Sequence, residues 1–344
     1  MVLPRVVIVG GGFCGLSCAR RLRGKAEVVL VSDHSFFEFT PGVPRLLTDS
    51  SERKGLRIDL RKALPKAQIV IGECTRITPS AVFVGRQELP YDYCVVCRGA
   101  EYPIGMKSAL TVKTGEQALR AAPIIEGAKR ILVVGGGLVG VEVAGELCTK
   151  TDAEITVVQP GTRLIERNPA KASDVVHSFL KKRGAKVIFG EKIVRGEKDV
   201  FFTDKGRSIG ADVCLWCAGI KTDASLLSEH FASAITGKGA VKTNEFLQVE
   251  GYGSVFAGGD VTAMSEEKTA QNAERHGRLI AQNVLRHRKD LPLVPYGHFV
   301  GPLVISLGDW RGVFVWKSFV WSGIVPAAMK RAIEWWTLFK FRWL

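Results

Sequence analysis

No apolar run of 18 residues occurs in this chain of 344, so nothing in it matches the span a helix needs to cross a bilayer. A secretory leader is not expected either, because the first strand-like run already starts at Arg5. Val2 stands where N-myristoylation requires glycine, which leads us to expect no such lipid anchor. Cysteine is sparse: eight in this length make no secreted disulfide framework. A reducing compartment, the cytosol, is the expectation. Acids are outnumbered, 34 against 48 Lys and Arg, for a net charge of +14. That excess implies an acidic partner: nucleic acid, an anionic membrane surface or a polyanionic ligand. The basic residues are spread rather than clustered and form no known nucleic-acid module, so no nucleic-acid partner is expected.

What the chain has in excess is glycine, 37 residues, and glycines head an internal repeat. Arg5–Leu22 reads RVVIVGGGFCGLSCARRL and Arg130–Leu147 reads RILVVGGGLVGVEVAGEL. Each is a β-branched apolar run, then G-x-G-x-x-G, then a helical pattern. A second short strand follows each: AEVVLVSD (Ala26–Asp33) and AEITVVQP (Ala153–Pro160). This is the context a dinucleotide fingerprint needs. Gly10 and Gly135 serve the tight turn, Gly12 and Gly137 let a pyrophosphate approach the backbone, and Gly15 and Gly140 let helix and strand pack closely. Gly11, Phe13 and Cys14 complete the first loop. The phosphates would sit at the helix N-termini, where free N–H groups and the dipole favour anions.

The second strand of such a unit usually ends in an acid for the ribose 2′-hydroxyl. The first unit offers Asp33, with Ser32 where the acid more often stands. The second offers Gln159, with Arg163 four residues later. A missing acid removes a repulsion against a 2′-phosphate and an arginine can pair with one, so NADPH is expected to serve as well as NADH.

Each unit closes on a C-x-x-C, Cys94–Cys97 in YDYCVVCRG and Cys214–Cys217 in DVCLWCAG. The surrounding apolar runs suit buried parallel strands. Residues three apart on a strand point to opposite faces, so neither pair closes a disulfide. No loop geometry joins the two pairs into a zinc site, and no metal is expected. Gly99 and Gly219, just past the strands, are expected to take part in cofactor binding.

LQVEGYGSVFAGGDVTA (Leu247–Ala263) returns after the second unit and ends on Gly259–Asp260, an acid placed to accept from a ribityl or ribose hydroxyl. The whole pattern resembles the two-dinucleotide-binding flavoproteins, in which an FAD domain is interrupted by an NAD(P)H domain. FFEFTPGVPR (Phe36–Arg45) is similar to the flavin loop of type II NADH dehydrogenases, with Pro41 and Arg45 matching, and TAQNAERHG (Thr269–Gly277) to their flavin and quinone segment. TNEFLQVEGYGSVFAGGD resembles the ferroptosis-suppressor branch of the apoptosis-inducing-factor-like proteins. The resemblance implies an FAD-dependent NAD(P)H:quinone oxidoreductase, with adenine contacts near Cys74 and a ribityl contact from Asp260. Arg98 stands where these proteins usually carry threonine; either this FAD contact is lost or an Arg–phosphate pair replaces it. No C-x4-C follows the first flavin motif, so disulfide-reductase chemistry is not expected.

The implied reaction is ping-pong: hydride passes to the flavin, then two electrons pass to the acceptor. Glu142 is expected to position the nicotinamide and Gln271 to reach a quinone carbonyl. His276 offers a proton relay, although a satisfied helix histidine is the preferred reading, and Glu146 reads as structural.

Six of the seven tryptophans lie from Trp310 onward. From Pro326 a helix would gather Met329, Ala332, Ile333, Trp336, Phe339 and Trp343 on one face, away from most charges. Such a helix suits burial in a membrane interface or docking on its own core or in a homodimer. The expected fold is α/β: two Rossmann-like domains, FAD at 1–112 and 245–290 and NAD(P)H at 113–244, then a small sheet and amphipathic helix at 291–344. A cytoplasmic protein peripheral to a membrane follows. The competing readings are a soluble reductase of a protein acceptor and a nucleic-acid-binding protein like apoptosis-inducing factor.

Overall fold

The computed structural model describes residues 2–104, 106–297 and 300–343. Its two main sheets are parallel and five-stranded, and they repeat one strand order. The first runs Val255–Ala257, Tyr93–Val96, Arg5–Val9, Glu27–Ser32, Gln68–Ile71. The second runs Ala109–Leu110, Val213–Trp216, Arg130–Val134, Glu154–Gln159, Lys186–Phe189. Both central strands are runs of Val, Ile and Leu buried on both faces, the composition expected of parallel strands covered by helices. In each unit the G-x-G-x-x-G joins the central strand to a helix, Phe13–Leu22 or Leu138–Lys150.

Val255–Ala257 completes the first sheet beside Tyr93–Val96, so the first unit is interrupted by the second. Two stretches sit elsewhere than boundaries at 112 and 244 would place them. Ala109–Leu110 pairs with Val213–Trp216, and Ala224, Leu227, Phe231 and Val241 pack with Val7, Val29 and Cys94 of the first sheet. The chain crosses between the units twice at one place. There Glu101 and Lys221 form an antiparallel bridge with both N–H···O bonds at 2.8 Å.

The C-x-x-C pairs lie at strand ends as expected. Cys94 packs on the face of Val7 and Val29, Cys97 on the face of Ile8 and Val95. All eight cysteines are free and only Cys148 is as much as half-exposed. The Cys97 thiol donates to Cys14 Sγ at 3.0 Å inside the core. Burial pushes the Cys214 and Cys217 thiols up to about 12 and those of Cys74 and Cys148 up to about 11.

A three-stranded antiparallel sheet, Leu303–Ser306, Gly312–Trp316 and Phe319–Gly323, leads directly into the terminal helix Ile324–Trp343. The helix has the two faces that its sequence predicts, but it docks through the charged one. Lys330 pairs with Glu142 at 2.8 Å, Arg331 with Glu52 at 3.1 Å, Glu334 with Arg45 at 2.8 Å and Lys340 with Glu274 at 2.6 Å. Phe341 drops between Phe37 and Phe13, with ring centroids 5.0 and 6.4 Å away. Ile324, Val325, Ala332, Ile333, Trp335, Trp336 and Trp343 face outward. Among the described residues no helix is long and apolar enough to cross a membrane.

Two outcomes follow from this packing. A disulfide-exchange thiol reagent should label at most about one thiol per native chain and all eight after denaturation, because buried protonated thiols are inert; rapid labelling of a vicinal pair would contradict the packing. Phe341→Ala should lower stability in denaturant unfolding by about 3–5 kcal/mol, the range for emptying a buried aromatic site.

Candidate functional site

The two phosphate loops share one geometry. Gly10 and Gly135 take φ of +113° and +102°, where L side chains are strained. A Cβ on Gly15 would lie 1.9 Å from Gly10 O, and one on Gly140 1.8 Å from Gly135 O, so helix and turn touch through bare backbone. By contrast nothing lies within 4 Å of a Cβ at Gly12 or Gly137. Those two residues cap the helices with no side-chain acceptor on the first-turn N–H groups, and neither first turn carries an acid. Each loop is therefore closed behind and open in front, with free donors aimed at the opening, which is what a pyrophosphate requires. Phe13 and Cys14 turn their side chains into the core, Phe13 against Phe37 at 4.9 Å. Their contribution to a phosphate site is confined to the backbone.

The strand ends correct two expectations. Ser32 ends its strand, and its Oγ lies 2.8 Å from where a Cβ on Gly11 would be. Asp33, one residue on, faces solvent beside His34, because strand neighbours point opposite ways. In the second unit Gln159 Oε1 accepts the Gly136 N–H at 2.8 Å. Arg163 donates from Nη1 to Asn168 O at 2.7 Å and from Nη2 to Glu166 O. Its guanidinium thus closes its own loop and is not held out for a 2′-phosphate.

The returning segment delivers Asp260 next to the first loop. Burial raises the Asp260 carboxyl while Lys268, Lys113 and a bond from the Ala100 N–H pull it back. Gly259 adopts φ +76° and donates its N–H to His276 Nδ1 at 2.9 Å. His276 Nε2 lies 2.9 Å from Glu266 Oε1, and the Tyr296 hydroxyl donates to Glu266 Oε2 at 3.0 Å. His276 Nδ1 thus accepts the bond that fixes the turn carrying Asp260. Gly99 lies near Lys113 Nζ, whose ammonium is depressed by burial and supported by Glu101, Asp260 and Asp33. Gly219 takes φ +72° against Pro103. Arg98 pairs with Asp223 at 3.3 Å, and its backbone N lies 3.4 Å from where a Cβ on Gly10 would be. Cys74 starts the strand Cys74–Ile77 and donates only to Arg76 O, 3.7 Å away.

Pro41 and Arg45 lie in the 3-10 segment Thr40–Leu47. Arg45 Nη2 meets Glu52 at 3.1 Å and Glu334 at 2.8 Å, while its buried Nε has no partner. That orphaned donor, the open front at Gly12 and the buried Asp260 carboxylate fit an FAD, and the open front at Gly137 fits a second dinucleotide.

Glu142 is buried, and its Oε1 accepts both the Ser306 N–H at 3.0 Å and Lys330 Nζ at 2.8 Å. It links the second phosphate helix to the C-terminal region. Gln271 is exposed in the first turn of the helix Ala270–His287, packed on Gly301. Glu146, structural as expected, accepts from Thr48 at 2.9 Å. Lys330 carried no sequence signal, lying amid an amphipathic pattern. Tyr102 also carried no sequence signal: burial raises its phenol, and Cys217, Asp260 and Glu142 add to the effect.

The histidine acceptor is testable. His276→Ala should weaken FAD binding about tenfold in a fluorescence titration of the flavin-stripped protein, the scale of one lost buried hydrogen bond. His276→Asn, whose Oδ1 can stand in for Nδ1, should stay within about threefold. Equal weakening by both would mean that the ring only fills space.

Residues 4–277 match the family described as pyridine nucleotide-disulphide oxidoreductase. The chain is 31% identical to apoptosis-inducing factor homolog B of Dictyostelium discoideum over 90% of its length and 88% of that protein's. It is 30% identical to ferroptosis suppressor protein 1 of Taeniopygia guttata, over 91% and 94%. Among solved structures, the sulfide:quinone oxidoreductase of Aquifex aeolicus superposes with TM-score 0.87 at 19% identity, covering 98% of this chain and 91% of that one. NDH2 of Plasmodium falciparum in complex with NADH superposes with TM-score 0.85 at 16% identity, over 98% and 96%. With two phosphate loops of matching build and an acid delivered to the first, the chain belongs to the pyridine nucleotide-disulphide oxidoreductase family and is an NAD(P)H-dependent flavin oxidoreductase that uses FAD.

Proposed function

We propose that the protein reduces a quinone at a membrane surface with electrons from NAD(P)H. The observation that carries this reading is the inverted terminal helix. Four of its five charged residues pair with the protein body, and its tryptophans are left to the outside. Trp310, Trp335 and Trp343 are 76, 64 and 70% exposed, and Trp316, Phe319 and Trp321 on the adjoining hairpin are exposed as well. Exposed indole rings on the terminal helix and the hairpin before it, on a chain of net charge +14, suit the interface of an anionic bilayer, where quinones are reached. Relatives support the acceptor class, since one structural neighbour is by name a sulfide:quinone oxidoreductase.

When bound, FAD would supply the two-electron chemistry that links NAD(P)H to the quinone. The chain supplies position and protons. Gly12 and Gly137 leave room for the two pyrophosphates, and Asp260 would hold the FAD by accepting from a ribityl hydroxyl. Reducing a quinone to a quinol takes up two protons. Lys330 Nζ, 2.8 Å from Glu142, holds a proton on the helix that carries the exposed tryptophans. That pair delivers it toward the acceptor, solvent supplies the second proton and restores the ammonium, and Gln271 orients a quinone carbonyl.

Stopped-flow absorbance should show NADH bleaching the flavin and a short-chain quinone restoring it faster than oxygen does. Bleaching without quinone recovery would point to a protein acceptor. Lys330→Met should slow the quinone half-reaction by about 10²-fold or more, the low end for general acid catalysis, and by more than it slows flavin reduction. Trp335→Glu with Trp336→Glu should abolish sedimentation with anionic vesicles while soluble-quinone turnover stays within about twofold; sedimentation unchanged by the pair would sink the membrane reading.

A further inference from the structure

The second dinucleotide site lacks the strand-end acid, since Gln159 occupies that position and spends its Oε1 on the Gly136 N–H at 2.8 Å. A carboxylate nevertheless arrives there from the loop beyond. Glu166 Oε1 accepts the Thr162 N–H at 3.0 Å. The same carboxylate lies over Gly161, so close that a Cβ there would be 1.8 Å from Oε1 and 2.4 Å from Oε2. Gly161 is two residues past Gln159, and its carbonyl accepts the Gly190 N–H at 3.0 Å.

The loop is shaped to bring Glu166 back. Ile165 adopts φ +42°, a conformation that a β-branched residue takes only under constraint. Its N–H is fastened to Gly136 O, on the phosphate loop itself, at 2.8 Å. Arg163 clamps the turn by donating to the carbonyls of Glu166 and Asn168. The arginine therefore positions the acid, which reverses the role its place in the sequence implies.

We propose that Glu166 reads the ribose 2′-hydroxyl of the bound nicotinamide dinucleotide and excludes a 2′-phosphate, so that the enzyme prefers NADH. This rests on the NAD(P)H-binding role of the second phosphate loop. A 2′-hydroxyl can donate to the carboxylate, whereas a 2′-phosphate offers only acceptors and negative charge to it. Lys205 Nζ reaches the neighbouring Gly190, 3.6 Å from a Cβ there, so removing the acid leaves a cation near the same pocket.

The test is steady-state kinetics of the FAD-loaded enzyme with a soluble quinone, comparing kcat/KM for NADH and NADPH. Wild type should favour NADH by about tenfold or more, since discrimination rests on a built-in repulsion as well as a hydrogen bond. Glu166→Gln should cut that ratio about tenfold, chiefly through a lower KM for NADPH at similar kcat. Glu166→Asp should keep most of the preference, and flavin content should match wild type in both variants. An NADPH preference in wild type, or a ratio unmoved in Glu166→Gln, overturns the assignment. Failure of either coenzyme to bleach the flavin would instead remove the dinucleotide role of the loop, and the inference with it.

Discussion

The ion pairs beneath the terminal helix, two of them buried, are the constraint on which the rest of the arrangement depends. A helix ending in Trp-Trp-Thr-Leu-Phe-Lys-Phe-Arg-Trp would ordinarily bury its aromatics and expose its charges. Here Arg45, Glu52, Glu142 and Glu274 provide four counter-charges on the body, and each meets a residue of opposite sign on the helix. Taking charges out of water is costly, and a buried pair recovers that cost only with good geometry. Such pairs add little net stability. Their effect is directional, because losing one partner leaves an uncompensated charge, so the helix has one acceptable orientation. Phe341 and its carbonyl, bonded by Arg20 Nη1 at 2.8 Å, complete the attachment.

Much of the architecture was legible. The repeated strand–glycine–helix unit, the buried C-x-x-C strands and the small closing sheet follow from local patterns of period, turn and burial, while the interruption of one unit by the other came from the resemblance to two-dinucleotide-binding flavoproteins. What local patterns cannot carry is contact between distant segments. Lys330 meets Glu142 across 188 positions and Arg45 meets Glu334 across 289, and neither spacing leaves a trace in composition. The domain limits were missed for the same reason: Ala109–Leu110 and the stretch around Phe231 join sheets that their neighbours in sequence do not.

The strand ends show a subtler failure. An acid one residue off register, Asp33, looks equivalent in a linear reading and points the opposite way in a pleated strand. Ser32 and Gln159 are the true equivalents, each laid against the middle glycine of its loop. His276 illustrates the reverse case, in which the structural reading was favoured in advance. The ring accepts from Gly259 and is braced by Glu266 and Tyr296, so one residue of the C-terminal region steadies the turn that carries Asp260.

The bridge between Glu101 and Lys221 has a consequence for how the chain assembles. The first sheet is incomplete until Val255–Ala257 reaches Tyr93–Val96, a closure over more than a hundred intervening residues. The entropy of closing a flexible loop grows with its length, and distant pairings are slow to form. Once the inserted unit has folded, its two ends stand within a hydrogen bond of each other, and the long excursion counts as a tight turn. The inner unit therefore acts as a template for the outer one. The outer core must wait on the ribosome for its last strand, with the inner unit already compact between its halves.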